Sequence, residues 1–165
     1  MDDAHDGPYA REPQIEDLAR ICHALNEAGA RYVLIGGFAV IARGGVRTTK
    51  DIDLLIDPAP ENVARVKRGL RVLEDKAVDE VADGDVVRYT VVRVADEVVV
   101  DLMATACGID YTEAAKDREL VTIANVSIPI VSVRTLIRTK DTMRPSDTAD
   151  RIYLQHLLEA ERDRR

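Results

Sequence analysis

The segment Asp51–Ile56 most constrains the fold, because two acidic side chains begin an otherwise apolar run that is typical of a buried strand. In a strand, residues i and i+2 project from the same face about 6.5–7 Å apart, so Asp51 and Asp53 face the same way. Two ionised carboxylates about 5 Å apart repel by roughly 3 kcal/mol at an effective dielectric of 20. A divalent cation such as Mg²⁺ or Mn²⁺ would offset that repulsion. An Asp-x-Asp pair alone is also common on solvated sheet edges.

A third acid, Asp101, lies inside the apolar segment 98–103, where an unpaired charge would be costly. If this segment is a strand beside Asp51–Ile56, all three carboxylates converge. Three carboxylates from two strands are enough to hold two metal ions for in-line displacement at phosphorus. Asp101 could instead cap a turn or pair with an arginine such as Arg93, and both alternatives stay open.

A glycine pair, Gly36 and Gly37, directly follows the short apolar strand predicted at Tyr32–Ile35. Glycines between a strand and a short helix let the backbone approach a ligand closely, with N–H groups directed at an anion. The terminal phosphates of a nucleotide could bind there. The pair could also form only a tight turn.

Three basic residues, Arg47, Lys50 and Lys140, are candidates to bind the same phosphates. Arg47 and Lys50 belong to the polar loop 44–50 and could equally be ordinary loop charges. Lys140 borders the apolar face of a predicted helix, where a lysine often extends past apolar neighbours to reach solvent. The sequence does not rank the three.

Hydrophobic spacing along the chain predicts an α+β fold with a small mixed sheet, flanking helices and a C-terminal helical pair. A helix is predicted from Gln14 until Gly29 ends it. Further helices are predicted at 38–43, 62–74, 111–117, 132–143 and 147–162. Strands are predicted at 32–35, 51–56, 86–94, 98–103, 119–123 and 126–130, with a hairpin turn at Asp83 and Gly84.

Residues 1–13 are polar and rich in proline and glycine, which predicts a flexible N-terminal arm. Residues 14–165 are then expected to form a single domain. Its core is expected at about 31–130, and its C-terminal helices at 132–162.

The composition, 46 % hydrophobic and 32 % charged, is typical of a soluble globular protein. A net charge of −7 argues against a general nucleic-acid-binding surface. The acidic start has no apolar core of a signal peptide, and no segment is long enough to predict a membrane span. Two cysteines without a disulfide framework favour reduced thiols in the cytoplasm.

The glycine pair, a spacer of thirteen residues and the sequence Asp51-Ile52-Asp53-Leu54 together resemble the signature of the DNA polymerase beta-like nucleotidyltransferase superfamily. Asp101 matches the third acidic residue of that family on a later strand. Residues 44–53 resemble the abortive-infection (AbiEii-like) toxin branch and are also similar to small-molecule antibiotic nucleotidyltransferases.

The C-terminal part carries a second, looser resemblance to the toxin-like branch. Lys140 and the run Arg144-Pro145-Ser146-Asp147 look like its lysine and Arg-Pro-x-Asp elements. Together the two resemblances imply a nucleotidyltransferase-type mixed sheet.

The resemblance also implies a reaction: transfer of a nucleoside monophosphate from a nucleoside triphosphate, such as ATP, to RNA, protein or a small molecule. Asp51 and Asp53 would hold Mg²⁺ or Mn²⁺. Asp101 would complete one ion site and help to deprotonate the attacking hydroxyl. Gly36, Gly37 and the three basic candidates would bind the nucleotide.

Partners follow from the same resemblance. A role in a toxin–antitoxin pair, with a protein partner or a second copy of the chain, is one expectation. The alternative is a non-catalytic subunit that has the nucleotidyltransferase fold and binds its partner without turnover. No membrane partner is expected.

Overall fold

The computed structural model describes residues 10–165. Residues 1–9 of the predicted flexible arm lie outside the described residues. Within the arm's described part, Arg11 is tied to the domain, because its guanidinium bonds both carboxylate oxygens of Asp17 at 2.7 Å and also reaches Glu97. The helices are α1 (Ile15–Glu27), α2 (Gly36–Ala42), α3 (Pro60–Leu70), α4 (Asp85–Arg88), α5 (Tyr111–Ala115), α6 (Val133–Thr139) and α7 (Pro145–Asp163). The strands are β1 (Tyr32–Ile35), β2 (Asp51–Ile56), β3 (Val92–Ala95), β4 (Val99–Met103), β5 (Thr105–Ala106), β6 (Ile109–Asp110), β7 (Glu119–Ile123) and β8 (Val126–Ile130).

The main sheet of residues 10–165 is mixed and has the strand order β3-β4-β2-β1-β8-β7. Strands β2 and β4 are parallel neighbours, and β1 is antiparallel to β2. Antiparallel hairpins, β3–β4 and β7–β8, form the two sides of the sheet, while β5 and β6 pair separately. The predicted α+β class with a mixed sheet and flanking helices is confirmed.

The core consists mainly of aliphatic side chains on the central strands and on the helices packed against them. Every residue of β1 is buried, as are four of the six residues of β2. Helix α1 packs its apolar face on α3 and β8, with Leu18, Ile21 and Leu25 fully buried. Each such side chain contributes about 1.5–3 kcal/mol through burial. The acids of β2 therefore lie on a strand that β1 and β4 flank and whose other side chains are buried.

The predicted hairpin turn at Asp83 and Gly84 is wrong. The chain forms the short helix α4 there, and β3 begins only at Val92 instead of residue 86. The Asp85 carboxylate accepts a hydrogen bond from the Ala82 N–H at 2.8 Å, which stabilises a turn into a helix. Val86 is buried and Val87 is exposed, an alternation that a strand and a helical turn share.

The C-terminal helical pair is confirmed as α6 packed against α7, with different bounds from those predicted. Helix α6 ends at Thr139 rather than residue 143. Helix α7 begins at Pro145, because a proline at the first helical position has no N–H to leave unsatisfied. No helix within residues 10–165 combines the length and the apolar character that crossing a membrane requires.

Candidate active site

A cleft of about 660 Å³ is lined by every residue that the sequence patterns single out as a candidate for binding or catalysis. These residues are Gly36, Gly37, Arg47, Lys50, Asp51, Asp53, Asp101 and Lys140. They come from the α2 start, the loop before β2, two neighbouring strands and the end of α6. The cleft therefore joins the centre of the sheet to the C-terminal helical pair.

The carboxylate cluster is defined as Asp51, Asp53 and Asp101. It lies where β2 and β4 line the cleft, and this side is called the strand end of the site. The parallel register places Asp53 directly beside Asp101, and Asp51 lies two residues earlier on the same strand. One oxygen from each of the three carboxylates lies within 4.8 Å of the others. Asp101 is buried and the other two are half-buried. Three converging carboxylate oxygens fit the ligand preference of Mg²⁺ or Mn²⁺.

The crowding of these acids changes the ionisation of Asp53. Burial, followed by the charges of Asp51 and Asp101, raises the pKa of its carboxyl from the ordinary 3.8 to about 8. Lys140 and Arg144 act against this shift. A divalent cation placed among the three acids would favour the ionised form of Asp53.

Arg93 lies next to the carboxylate cluster. It is on β3, where the antiparallel register pairs it with Asp101 on β4. Its Nε lies 2.9 Å from Asp101 Oδ1, and its Nη2 lies 2.9 Å from Asp101 Oδ2. The same Nη2 lies 3.2 Å from Asp51 Oδ2. The alternative in which Asp101 pairs with Arg93 is therefore present in the structure, together with the convergence of the three acids.

The glycine pair forms the wall of the cleft next to these acids. Gly36 has φ +76°, and a Cβ added there would lie 2.1 Å from Asp53 Oδ2. A Cβ added at Gly37 would lie 2.7 Å from the Thr49 hydroxyl oxygen. A side chain at either position would collide with the site, so close packing and not only a tight turn requires both glycines.

The helical cluster, defined as Arg47, Lys140, Arg144, Asp147 and Asp150, lies where the C-terminal helices meet the loop before β2, and this side is called the helical end of the site. Lys140 is 5 % exposed, and its Nζ lies 2.9 Å from Asp150 Oδ2 and 3.6 Å from Asp147 Oδ1. Lys140 is therefore not a lysine that extends to solvent past an apolar face. Arg47 also bonds Asp150, so it is more than an ordinary loop charge.

The exposed cations of the cleft differ from Lys140. Arg144 donates from Nε to Asp147 Oδ2 at 3.0 Å, yet 74 % of its side chain is exposed. Lys50 is also exposed where it lines the cleft. Such side chains can turn toward an incoming anion without leaving a buried charge behind.

Sequence reasoning named Arg93 only as a partner for Asp101 and did not place it in the cleft. A tight turn after Ala95 pairs Ala95 with Val99, and this register places Arg93 opposite Asp101. Recognition of that turn in the sequence would therefore have indicated the position of Arg93. Thr49 was also missed, although it lines the cleft and packs against the glycine pair. A lone threonine in a polar loop carries no signal of that kind.

Comparisons with known proteins bear on the fold. No protein-family model matches the sequence, and no curated protein sequence matches it. Among solved structures, the chain is similar to the crystal structure of a "putative nucleotidyltransferase" from Thermotoga maritima, with a TM-score of 0.54 and 15 % identity. The alignment covers 92 % of this chain and 93 % of that chain. At this identity the likeness shows the fold, and the AbiEii-like branch stays a prediction.

Proposed function

We propose that this chain is a Mg²⁺-dependent nucleotidyltransferase, which moves a nucleoside monophosphate from a nucleoside triphosphate to an acceptor. The observation that carries the proposal is the convergence of the carboxylate cluster within 4.8 Å, in a cleft that also holds cations. The fold shared with the Thermotoga maritima protein supports the same reaction class.

The distribution of charge in the cleft suits a triphosphate accompanied by a divalent ion. Asp51, Asp53 and Asp101 would hold the ion, and Mn²⁺ could replace Mg²⁺ because both prefer oxygen ligands. Once bound, the ion would neutralise charge that develops on the reacting phosphate. Lys50 and Arg144 are exposed in the same cleft and would attract the remaining phosphate oxygens.

The proposed roles of the other cleft residues follow from how firmly each is held. Gly36 and Gly37 would let the phosphates approach the start of α2, where backbone N–H groups have no helical partner. Lys140 and Arg47 share the Asp150 carboxylate, so they would face the phosphates from fixed positions. Preorganised positive charge of this kind stabilises developing negative charge without rearrangement.

The chemical step is an in-line displacement. An acceptor hydroxyl oxygen bonds to the α-phosphorus while the bond to the bridging oxygen breaks and pyrophosphate leaves. The hydroxyl proton passes to the carboxylate of Asp101, which acts as the general base. Asp51 and Asp53 would hold the ion that accompanies the triphosphate.

The test is incubation of the protein with each α-labelled nucleoside triphosphate, Mg²⁺ and a cell extract, with the labelled products then separated. Asp53→Asn should reduce transfer by about 100-fold or more, because it removes a ligand of the ion. Asp57→Asn is the matched control, since Asp57 directly follows the same strand and lies outside the cleft. Undiminished transfer by Asp53→Asn would refute the mechanism.

One observation favours the alternative, a non-catalytic subunit with this fold. Arg93 contacts both Asp51 and Asp101, so those acids have a protein partner without a metal ion. A folded protein that binds triphosphate but labels no product would support that alternative. The destination of the label identifies the acceptor among the predicted classes, which are RNA, protein and small molecules. The triphosphate that donates the label tests the preference for ATP. A labelled RNA or protein is also what a role in a toxin–antitoxin pair predicts.

A further inference from the structure

We infer that Arg93 is a built-in competitor of the divalent ion, occupying the carboxylates of Asp101 and Asp51 until the ion displaces it. This inference deepens the proposed function and rests on it, because it concerns the same ion site. It assigns Arg93 a positioning role, in which the residue controls when the carboxylates are available and does not touch the reacting atoms.

The contact between Arg93 and Asp101 uses both carboxylate oxygens. Two N–H groups of the guanidinium donate in parallel at 2.9 Å each, the fork-to-fork geometry in which arginine binds carboxylates most strongly. The third contact, at 3.2 Å to Asp51, links the two acids through one nitrogen. A guanidinium therefore already bridges two of the three groups that would ligate the ion.

An incoming ion has to compete with this arrangement in two ways. The bidentate contact uses both oxygens of Asp101, so it competes with an ion for the same acceptor atoms. The positive charge of Arg93 also repels a divalent cation placed a few ångströms away. Each effect lowers the affinity of the metal-free cleft for the ion.

Arg93 has room to leave. It lies on β3, the edge strand of the sheet as the structure describes it, and a third of its side chain is exposed. Asp101 is 5 % exposed, so its charge needs a partner at all times. Exchange of Arg93 for an ion keeps that buried charge partnered in both states, which makes the exchange feasible without unfolding the site.

A second arginine supplies a matched comparison. Arg31 also bridges two carboxylates, with Nε 2.8 Å from Asp57 and Nη2 3.3 Å from Glu61. Its side chain is 37 % exposed, close to the 33 % of Arg93. Arg31 does not line the cleft. Among the residues that the structure describes, either replacement removes one positive charge and the ion pairs with two acids, but only Arg93 contacts the proposed ion ligands.

The experiment is calorimetric titration of the full chain with Mn²⁺ alone at low ionic strength, without nucleotide. Arg93→Gln should bind Mn²⁺ about tenfold more tightly than the unchanged protein, because it removes the competing charge. Arg31→Gln should bind within twofold of the unchanged protein. Adding Asp53→Asn to Arg93→Gln should abolish the tight binding, which locates it at the carboxylate cluster. Arg93→Lys keeps the charge without the fork and should tighten binding by about threefold.

Equal or weaker Mn²⁺ binding by both Arg93→Gln and Arg93→Lys, each folded by circular dichroism, would overturn the inference alone. Weaker binding would mean that Arg93 organises the carboxylates for the ion, and equal binding would mean that it does not affect the ion. Absence of Mn²⁺ binding by every variant at millimolar concentration would remove the ion site and overturn the proposed function as well. Tighter binding by Arg93→Gln in a protein that transfers no nucleotide would uphold the inference while the proposed reaction fails.

Discussion

The carboxylate cluster and most of the helical cluster line one cleft, yet their charges balance differently. Among the residues that the structure describes, the first has three acids, two of which contact Arg93, whereas the second has two acids among three cations. The pKa of Asp53 is raised by burial and by its acidic neighbours. Burial opposes the shift at Asp147, but hydrogen bonds from Thr142 and Arg144 lower its pKa. The strand end therefore favours added positive charge, and the helical end is electrostatically satisfied.

The largest effect is expected where the helical cluster is broken. Asp150→Ala removes the closest partner of the buried Lys140 and the partner of Arg47, so it should lower the free energy of unfolding by about 3–5 kcal/mol. Asp79→Ala removes one exposed ion pair with Arg71 and should cost about 1 kcal/mol or less. Urea unfolding at neutral pH measures both. If the two variants lost similar free energies of unfolding, the helical cluster would contribute no more to stability than an ordinary surface ion pair.

The second effect concerns the pH dependence of stability at the strand end. The folded pKa of Asp53, about 8, lies above its ordinary value of 3.8, so the folded state holds a proton that the unfolded state has lost. The metal-free protein should therefore lose stability as pH rises from about 4 to about 8. Asp53→Asn should flatten this part of the profile, and Mg²⁺ should restore stability at pH 8 in the unchanged protein.

The matched control for that profile is Asp147→Asn. Because the folded pKa of Asp147 is lowered, its contribution is present above the unfolded pKa and is lost as pH falls below it. Thermal unfolding from pH 3 to pH 9 without metal distinguishes the two directions. A profile of the unchanged protein that stays level between pH 4 and pH 8, and that Asp53→Asn does not alter, would show that the carboxylate cluster is not strained.

A third, smaller effect on stability is expected at the glycine pair, which lies between the carboxylate cluster and the loop before β2. Gly37→Ala should cost about 1–3 kcal/mol, because the added Cβ would lie 2.7 Å from Thr49 Oγ1 and 2.8 Å from Thr49 Cβ. Gly84→Ala should change stability by less than about 0.5 kcal/mol, since nothing lies within 4 Å of its added Cβ. Denaturant midpoints compare the two, and equal midpoints would mean that the wall tolerates a side chain.

The smallest effect on stability is expected for Arg144→Ala. The side chain is 74 % exposed, so its ion pair with Asp147 should contribute about 1 kcal/mol or less. Binding of a nucleoside triphosphate with Mg²⁺ should nevertheless weaken severalfold if Arg144 contacts phosphate. Fluorescence titration with a labelled triphosphate, using Arg71→Ala as the control, separates the two roles. Unchanged triphosphate binding would mean that Arg144 forms only its ion pair with Asp147 of α7 and does not contact phosphate.

The positions of the acids at the strand end were largely predictable from the sequence, because side chains on a strand alternate between its two faces. The spacing of Asp51 and Asp53 fixes a common face, and an acid within an apolar run, Asp101, signals a special environment. The sequence could not show that β4 lies beside β2 and runs parallel to it, which depends on long-range packing. It also left open whether Asp101 converges with the other acids or pairs with Arg93, and the structure contains both contacts.

The helical end was less predictable, because burial there depends on how α6 and α7 pack. Lys140 reads as a residue at the border of an apolar face, yet it is buried by carboxylates that follow it in the next helix. The wrong hairpin at Asp83 and Gly84 has a similar cause. Local turn chemistry there fits both a hairpin and the start of a helix, and the hydrogen bond to Asp85 favours the helix.

The pairing of β1 with β8 has a consequence for the order in which the molecule folds. This pair is parallel and joins Leu34 to Ile130, two residues far apart in the chain. Contacts of such long sequence separation form slowly, because a large loop must close first. The antiparallel β1–β2 pair can form early, and it carries Asp51 and Asp53 without their later partners. We therefore expect the cleft to be completed late, when Asp101 and then the two C-terminal helices dock on a sheet that already holds the first acids.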